Sequence, residues 1–268
     1  MNKPHILATD LDGTLIPRPD SPPDSDQRAA LQILKTHVDD DSIEVVFATG
    51  RSFESVLRVM TTESLPAPRW IVCDVGSSVY VHDLFEYRLV DAYAKHVSDI
   101  AGGIASQDLQ ANVQQECQLE LQEPENQQRF KLSYYCPPEK LDDACSRILA
   151  LFHRMKVNFG VVSSIDPDDG RGLIDIMPRG VNKAFALKWW AAWNQHEPES
   201  IVFAGDSGND FAALTSGFRG ILVGNAAPGL AANIHAHHFE ARSLDRLYIA
   251  KRQATAGVLD GCRHFEII

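Results

Sequence analysis

The feature that most constrains this chain is an alternation of short apolar runs with segments of helical periodicity near its start. The runs at residues 5–9, 43–48 and 70–73 lack polar alternation, which predicts strands covered on both faces. Between them, the segment after Asp24 and the segment 52–62 carry apolar residues at helical spacing. This βαβαβ order predicts a parallel sheet with right-handed crossovers.

A block of different character interrupts that order after Gly76, and the first pattern returns near residue 179. The expected elements of the block are a Gln-rich helix at 107–122, a strand at 130–136, a helix at 138–155, and strands at 157–163 and 173–177. A turn-rich connection at 166–172 joins the last two strands. The expected elements after the block are a helix at 181–195, strands at 201–204 and 220–223, and a closing helix at 244–262.

The two patterns together predict an α/β fold. We expect a Rossmann-like, doubly wound parallel sheet with an inserted, smaller α/β cap domain. Residues 1–83 and 179–268 are expected to form the core domain, and residues 84–178 to form the cap. The length of 268 residues allows two domains of this size.

Composition narrows the class of function. The formal net charge of -11 argues against a nucleic-acid partner, because phosphate backbones need a basic surface. No apolar run is long enough to cross a membrane and no signal peptide is evident, which predicts a cytoplasmic protein with no membrane partner. The cysteine count of 5 is odd and lacks C-x-x-C spacing, which favours free thiols. The sequence gives no indication of the oligomeric state.

The most informative motif is Asp10-Leu11-Asp12-Gly13-Thr14, at the end of the first predicted strand. Ligand sites in open α/β sheets lie at the carboxyl ends of the strands. Of two carboxylates held two residues apart, one can attack phosphorus as a nucleophile while the other transfers protons. An Asp-rich turn without a chemical role is the alternative, and this motif alone does not decide between them.

Three further motifs lie at predicted strand ends or helix starts. Thr49 and Gly50 open a turn whose hydroxyl and amide groups suit a phosphate. Lys183, at the start of a helix, can offset charge that develops during phosphoryl transfer. Gly205–Asp210 offers acidic oxygen ligands of the kind that Mg²⁺ prefers. Each motif also has an ordinary explanation, as a helix cap or a solvated lysine.

The four motifs occur in a fixed order, and in this the sequence resembles the haloacid dehalogenase (HAD) phosphatases over nearly its whole length. The resemblance implies that Asp10 is the nucleophile and Asp12 the acid/base. The residues that it implies for phosphate binding are Thr49, Gly50, Lys183 and Asn209. The residues that it implies at a Mg²⁺ cofactor are Asp10, Asp12 through its backbone carbonyl, Asp206 and, behind them, Asp210.

Five segments resemble the sucrose-phosphate phosphatase group more closely, namely Val75–Tyr80, Phe130–Tyr135, Leu173–Pro178, Gly205–Asp210 and Ala256–Phe265. This resemblance implies a small sugar or glycoside phosphate as the substrate, with sucrose 6-phosphate as the first choice. The phosphates of mannosylfructose, glucosylglycerol and mannosylglycerate are alternatives. The candidate substrate-binding residues are Arg51, Lys131, Arg171 and Asp175.

Two other classes of protein stay open on the same fold, a phosphomutase and a non-catalytic protein that binds a phosphorylated ligand. The intact set of Asp10, Asp12, Lys183 and Asp206 favours an enzyme. The histidines at 235–238 lack an accompanying carboxylate motif and are expected to have no metal role. Trp189, Trp190 and Trp193 are expected to pack in the core or at an interface.

Overall fold

A computed structural model describes residues 5–21, 23–166 and 169–268, and it confirms the predicted α/β class. The strands are β1 (His5–Thr9), β2 (Ile43–Ala48), β3 (Trp70–Cys73), β4 (Ser78–Asp83), β5 (Glu86–Leu89), β6 (Glu120–Leu121), β7 (Leu132–Cys136), β8 (Phe159–Ile165), β9 (Gly172–Pro178), β10 (Ile201–Gly205), β11 (Arg219–Leu222) and β12 (Leu247–Ile249). The α-helices are α1 (Ser25–Asp39), α2 (Phe53–Thr62), α3 (Asp91–Ile100), α4 (Gln110–Cys117), α5 (Leu141–Met155), α6 (Lys183–Trp193), α7 (Phe211–Leu214), α8 (Pro228–Glu240) and α9 (Ala254–His264).

The large sheet has the strand order β12-β11-β10-β1-β2-β3-β4-β5. The six strands from β12 to β3 are parallel, and the hairpin of β4 and β5 continues the sheet in antiparallel fashion. Because β1 lies between β10 and β2, the first, second and last sequence motifs follow neighbouring strands. Their residues therefore meet at the carboxyl edge of the sheet.

Helices cover both faces of this sheet, which explains why its central strands are apolar without alternation. Successive residues of β1 enter different cores: Ile6 packs in the core that contains Trp190 of α6. Leu7 packs in the core that contains Leu34 of α1 and Leu259 of α9. The sheet is thus doubly wound, and β1 is buried from both sides.

The second sheet has the order β6-β7-β9-β8 and is antiparallel throughout. Helix α5 packs on β8 and β9, and Tyr134, Ile174 and Ile176 are fully buried. Since side chains alternate along a strand, Ser133 and Asp175, which are paired in register, lie on the opposite face. We call this sheet with α4 and α5 the lid.

The junction between sheet and lid differs from the sequence-based division at residues 83 and 84. Strand β5 pairs with β4 of the large sheet, and the ring of Tyr93 in α3 lies 4.9 Å from that of Trp189 in α6. Both elements, which the prediction assigned to the cap, therefore pack with the core. Residues 84–85 form the hairpin turn between β4 and β5, and the division of the chain into two domains stays a prediction.

Two helix predictions are also wrong in part. The Gln-rich helix ends at Cys117, because Gln118 adopts a left-handed φ of 50° and the chain then enters β6. The closing helix begins only at Ala254, and residues 247–249 form the edge strand β12 beside β11. A three-residue edge strand is too short to show a periodicity in the sequence.

No helix in the described parts of the chain is both long and apolar enough to span a membrane. The five cysteines are all free thiols, as predicted. The cytoplasmic location stays a prediction.

The packing of α9 on the sheet gives a test of this fold. A side chain at Gly261 would overlap Ile221 of β11, so Gly261→Ala should destabilise the fold by roughly 1–3 kcal/mol through overpacking. Gly229 in α8 has open space around it, so Gly229→Ala should instead stabilise by about 0.4–1 kcal/mol. Urea unfolding of both variants measures the difference, and equal stabilities would contradict the packing of α9.

Candidate active site

A buried lysine connects the first motif to the last. Nζ of Lys183 lies 2.9 Å from Oδ2 of Asp10 and 2.8 Å from Oδ1 of Asp210. It also donates a hydrogen bond of 2.8 Å to Oδ1 of Asn209. Lys183 and Asp210 are fully buried and Asp10 is 4% exposed. The other Asp10 oxygen accepts a hydrogen bond from the backbone N–H of Leu11 at 2.8 Å, so the carboxylate is held on both sides.

The local structure explains why these groups meet. Asp10 follows β1 and Asp206 follows β10, and these parallel strands are direct neighbours. Lys183 is the first residue of α6, whose start is fixed by Asn182, since its side chain accepts a hydrogen bond of 2.9 Å from the N–H of Phe185. The helix start thus aims the lysine at the carboxyl edge of the sheet.

Asp206 is held by side chains from three other segments. Its Oδ1 accepts from the Thr14 hydroxyl at 3.3 Å, and its Oδ2 accepts from Arg18 at 2.7 Å and from Asn225 at 3.1 Å. Asn225 also donates a hydrogen bond of 2.7 Å to the carbonyl of Gly13. Gly13 has a φ of 73°, and a side chain there would overlap Asp206. The 10–14 turn therefore packs directly on the Asp206 carboxylate.

The charges of the site are not balanced by its own lysine and arginine. Burial, and next the charge of Asp210, raises the pKa of Asp10 well above its usual range, while Lys183 opposes the rise. Burial and Asp210 raise the pKa of Asp206 as well, against the effect of Arg18. Burial alone would lower the pKa of Lys183, but Asp10 and Asp210 outweigh it and leave that pKa raised. Three crowded carboxylates thus favour a further cation.

The donor set fits Mg²⁺. Carboxylate oxygens of Asp10, Asp206 and Asp210 lie within 4.8 Å of one another, and hard oxygen donors are the ligands that Mg²⁺ prefers. Asp210 differs from the other two, since its Oδ1 contacts Lys183 and its Oδ2 accepts from the N–H groups of Asp206 and Ser207, both at 3.1 Å. Asp210 is therefore placed to hold the loop and the lysine rather than to offer a free oxygen.

The structure places the side chain of Asp12 outside this acidic cluster. Its carboxylate is 49% exposed and forms a two-pronged ion pair with Arg51, at 2.7 Å from Nε and 2.6 Å from Nη2. The third nitrogen of Arg51 donates to the hydroxyl of Ser55 at 2.9 Å. Arg51, a candidate substrate residue, thus holds the candidate acid/base in this conformation.

The predicted phosphate-binding residues lie side by side. The buried hydroxyl of Thr49 accepts a hydrogen bond of 3.2 Å from the N–H of Arg51. A Cβ atom on Gly50 would lie 3.9 Å from Nδ2 of Asn209, whose Oδ1 contacts Lys183. The 49–51 loop and the 208–210 turn therefore face the same space at the sheet edge.

The lid candidates are only partly brought to this place. Lys131, which is 3% exposed, donates a hydrogen bond of 3.1 Å to the carbonyl of Gly50. Asp175 accepts a hydrogen bond of 2.6 Å from Ser133 on the same lid face. Arg171 is engaged elsewhere, at 2.5 Å from Asp169 and 3.5 Å above the ring of Tyr135.

Sequence reasoning missed two residues that shape the site, Arg18 and Asn225. Both contact Asp206, which is 188 residues from Arg18. The one sequence signal was local: Asn225 follows a predicted strand at 220–223, where ligand-facing residues are expected. Arg18 lies in a Pro-rich loop that carried no such signal.

Comparisons with known proteins show the family of this chain. The family model of sucrose-6F-phosphate phosphohydrolase matches residues 3–266. A putative HAD-like hydrolase of Nitrosococcus oceani is 29% identical over 273 residues, which cover 99% of this chain and 72% of that protein. Mannosylfructose-phosphate phosphatase of Agrobacterium fabrum is 26% identical over 262 residues, which cover 97% of this chain and 96% of that protein.

A solved structure shares the fold. The sucrose-phosphatase of Synechocystis, determined with sucrose and phosphate, superposes with a TM-score of 0.77 at 24% identity, covering 99% of each chain. The match of the family model over nearly the whole chain shows the family. This chain belongs to the sucrose-6F-phosphate phosphohydrolase family of HAD-type phosphoric monoester hydrolases.

Proposed function

We propose that this protein is a Mg²⁺-dependent phosphatase that releases phosphate from a sugar or glycoside phosphate through an aspartyl phosphate on Asp10. Sucrose 6-phosphate is the first candidate substrate. The observation that carries the proposal is the fixed Asp10 carboxylate. Its Oδ2 contacts the buried Lys183 and its Oδ1 accepts from a backbone N–H, at the edge where the phosphate-binding candidates meet.

In the first step, an Asp10 oxygen attacks phosphorus and the sugar oxygen departs. Lys183 holds the Asp10 carboxylate, and as charge moves onto the transferring oxygens its ammonium offsets that charge. The oxygen of the Thr49 hydroxyl accepts from the N–H of Arg51 and Oδ1 of Asn209 accepts from Lys183, which leaves the hydroxyl hydrogen and the NH2 group as neutral donors for the phosphoryl oxygens. Positioning and charge stabilisation are most of what phosphoryl transfer requires.

Asp12 is assigned the proton transfers. It donates a proton to the departing sugar oxygen, then accepts one from the water that hydrolyses the aspartyl phosphate. Its partial exposure suits a group that must reach both a leaving group and water. Since Arg51 pairs with Asp12 in this conformation, the carboxyl group must leave the guanidinium to act as an acid.

Mg²⁺, when bound, neutralises charge on the transferring phosphoryl group. The residues that would hold it are Asp10 and Asp206 through side chains and Asp12 through its backbone carbonyl. Arg18, Asn225 and Thr14 fix Asp206, and Asp210 fixes the turn that carries Asp206. These four neighbours orient the ligands rather than contact the substrate.

The nature of the sugar rests on the lid. Lys131, Ser133 and Asp175 form a polar strip on one face of the lid. Lys131 also contacts the 49–51 loop, and polar groups of this kind can hydrogen-bond to sugar hydroxyls. The relatives carry names that point to sucrose, mannosylfructose and glucosylglycerol phosphates. A panel of these phosphates with measured kcat/KM ranks them and tests the first choice.

The role of Asp10 is tested by Asp10→Asn, which keeps the shape and removes the nucleophile. Phosphate release from sugar phosphates should fall to the level of a protein-free blank, because no acyl phosphate can form. Asp99→Asn, an exposed carboxylate in α3, is the matched control and should retain wild-type rates. Turnover by the Asp10→Asn variant would refute the assignment of the nucleophile.

The metal is tested by binding as well as by rate. Chelation should abolish activity and added Mg²⁺ should restore it. Without substrate, Mg²⁺ at 100 times its Kd should stabilise the fold by about 2.7 kcal/mol, since it relieves the crowded carboxylates. Asp206→Asn should remove this stabilisation in thermal unfolding. A metal-independent phosphatase of equal rate would contradict the proposal.

The lid strip is tested by Asp175→Asn. Loss of a charged hydrogen-bond acceptor should raise KM for the best sugar phosphate about 10- to 100-fold. KM for p-nitrophenyl phosphate, which has no sugar hydroxyls, should stay the same. Asp142→Asn, an exposed lid carboxylate, serves as the control. Equal changes for both substrates would show that Asp175 does not contact the sugar.

A further inference from the structure

The turn that follows β3 is strained and lies beside the active site. Asp74, Val75 and Gly76 have φ values of 53°, 58° and 100° in succession, a conformation that a β-branched residue such as Val75 rarely adopts. The N–H of Asp74 donates to the carbonyl of Arg51 at 2.9 Å, and the N–H of Val75 donates to that of Thr49 at 3.1 Å. The turn is therefore fastened to the 49–51 loop, and strain of this kind clusters at functional sites.

The side chain of Asp74 is costly for the fold. It is 1% exposed, and its Oδ1 has no hydrogen-bond partner among the described residues, although Ser78 hydrogen-bonds to the carboxyl group. Burial raises the pKa of Asp74 to about 6, Lys131 opposes this, and Glu54 and Asp175 add to it. A buried carboxyl group with an unmade hydrogen bond lowers stability.

Lys131 brings the opposite charge from the lid. Its ammonium is buried and donates to the carbonyl of Gly50, in the loop to which the Asp74 turn is fastened. A buried ammonium needs a negative charge nearby. Asp74 and Lys131 are attached to neighbouring peptides of the 49–51 loop, Asp74 through its N–H to the carbonyl of Arg51 at 2.9 Å and Lys131 through its ammonium to that of Gly50 at 3.1 Å. In keeping with this placement, the charge of Lys131 lowers the pKa of Asp74, while that of Asp175 on the lid raises it. Cys73 and Tyr80, on the adjoining strands, feel the charge of Asp74 as well.

We propose that Asp74 is a positioning residue, whose buried charge holds the ammonium of Lys131 over the 49–51 loop and so keeps the lid closed on the substrate. The inference rests on the proposed function, because closure matters only where the 49–51 loop binds the phosphoryl end of a substrate. Asp74 acts through Lys131 and contacts neither phosphorus nor the sugar. This accounts for a destabilising buried carboxyl group beside the contact between Lys131 and the 49–51 loop.

The variant Asp74→Asn separates this role from a structural one. Asn keeps the size of the side chain and tolerates a left-handed φ, so the variant removes the charge at the cost of exchanging one acceptor oxygen for an NH2 group. KM for the best sugar phosphate should rise roughly tenfold, a coupling of about 1.4 kcal/mol, while kcat changes by less than about twofold. Glu54→Gln, an exposed carboxylate that also acts on Asp74, is the matched control and should leave KM unchanged.

A double-mutant cycle tests whether the effect passes through Lys131. In a Lys131→Gln background, Asp74→Asn should have no further effect on KM. Additive effects of the two changes would overturn the proposal, because Asp74 would then act independently of the lid lysine.

The Asp74→Asn variant should lose substrate affinity but gain stability at neutral pH. The pKa of Asp74 in the fold is above its ordinary value, so its stabilising contribution is full below about 4 and is lost as the pH rises through about 6. At pH 7.5 the wild-type protein therefore bears the cost of the buried charge, and Asp74→Asn should have the higher Tm. Near pH 4 the two should unfold alike. A lower Tm at pH 7.5 with unchanged KM would show a purely structural role.

Amide hydrogen exchange keeps the two proposals separate. In Asp74→Asn, exchange in lid strand β7 should speed up relative to wild type, while β1 stays equally protected. This measurement needs no substrate. Absence of phosphate release by the wild-type enzyme would therefore contradict the proposed function but not the role of Asp74. Unchanged exchange in β7 would sink the role of Asp74 alone.

Discussion

The site depends on one buried cation, the ammonium of Lys183. Burying a lysine is unfavourable unless its charge is met at close range, and here Asp10, Asp210 and Asn209 surround it within 2.9 Å. Removal of the lysine would leave two buried carboxylates facing each other. The same contacts hold the nucleophile candidate in place and tie α6 to the turn after β10. Stability and chemistry therefore rest on one network at this point.

That network forms because of the strand order. β1 lies between β10 and β2, so the residues that follow these three parallel strands reach the same edge of the sheet. The close approach leaves no room for side chains at Gly13 or Gly205, where a Cβ would overlap Asp206 or lie 2.6 Å from Asp210. The backbone conformation of both turns is therefore as restricted as the positions of the aspartates that they contact. A substitution at either glycine would move a carboxylate before it disturbed the sheet.

The meeting of the residues at the strand ends was predictable, because the carboxyl ends of parallel strands lie at one edge of the sheet in any fold of this type. Asp10, Thr49 and Asp206 follow from that rule. The contacts of Arg18 and Asn225 do not follow from it. Arg18 is 188 residues from Asp206 and Asn225 is 212 residues from Gly13, so no local sequence pattern predicts either contact. The edge strand β12 was missed for another reason: pairing with the neighbouring strand β11 decided it, against weak local preferences.

Two of the polar contacts between the lid and the core differ in kind. Arg58 and Glu125 form an ion pair of 2.9 Å, but both side chains are more than half exposed, at 63% and 54%, and such pairs contribute little. The contact of Lys131 with Gly50 is buried, so its geometry is strict. Gly50 precedes Arg51, which holds Asp12 in a two-pronged ion pair. A shift of the lid that moved the Gly50 peptide would therefore reach the candidate acid/base through a single intervening residue. If Asp12 transfers the protons as proposed, lid position and proton transfer are coupled through Gly50 and Arg51.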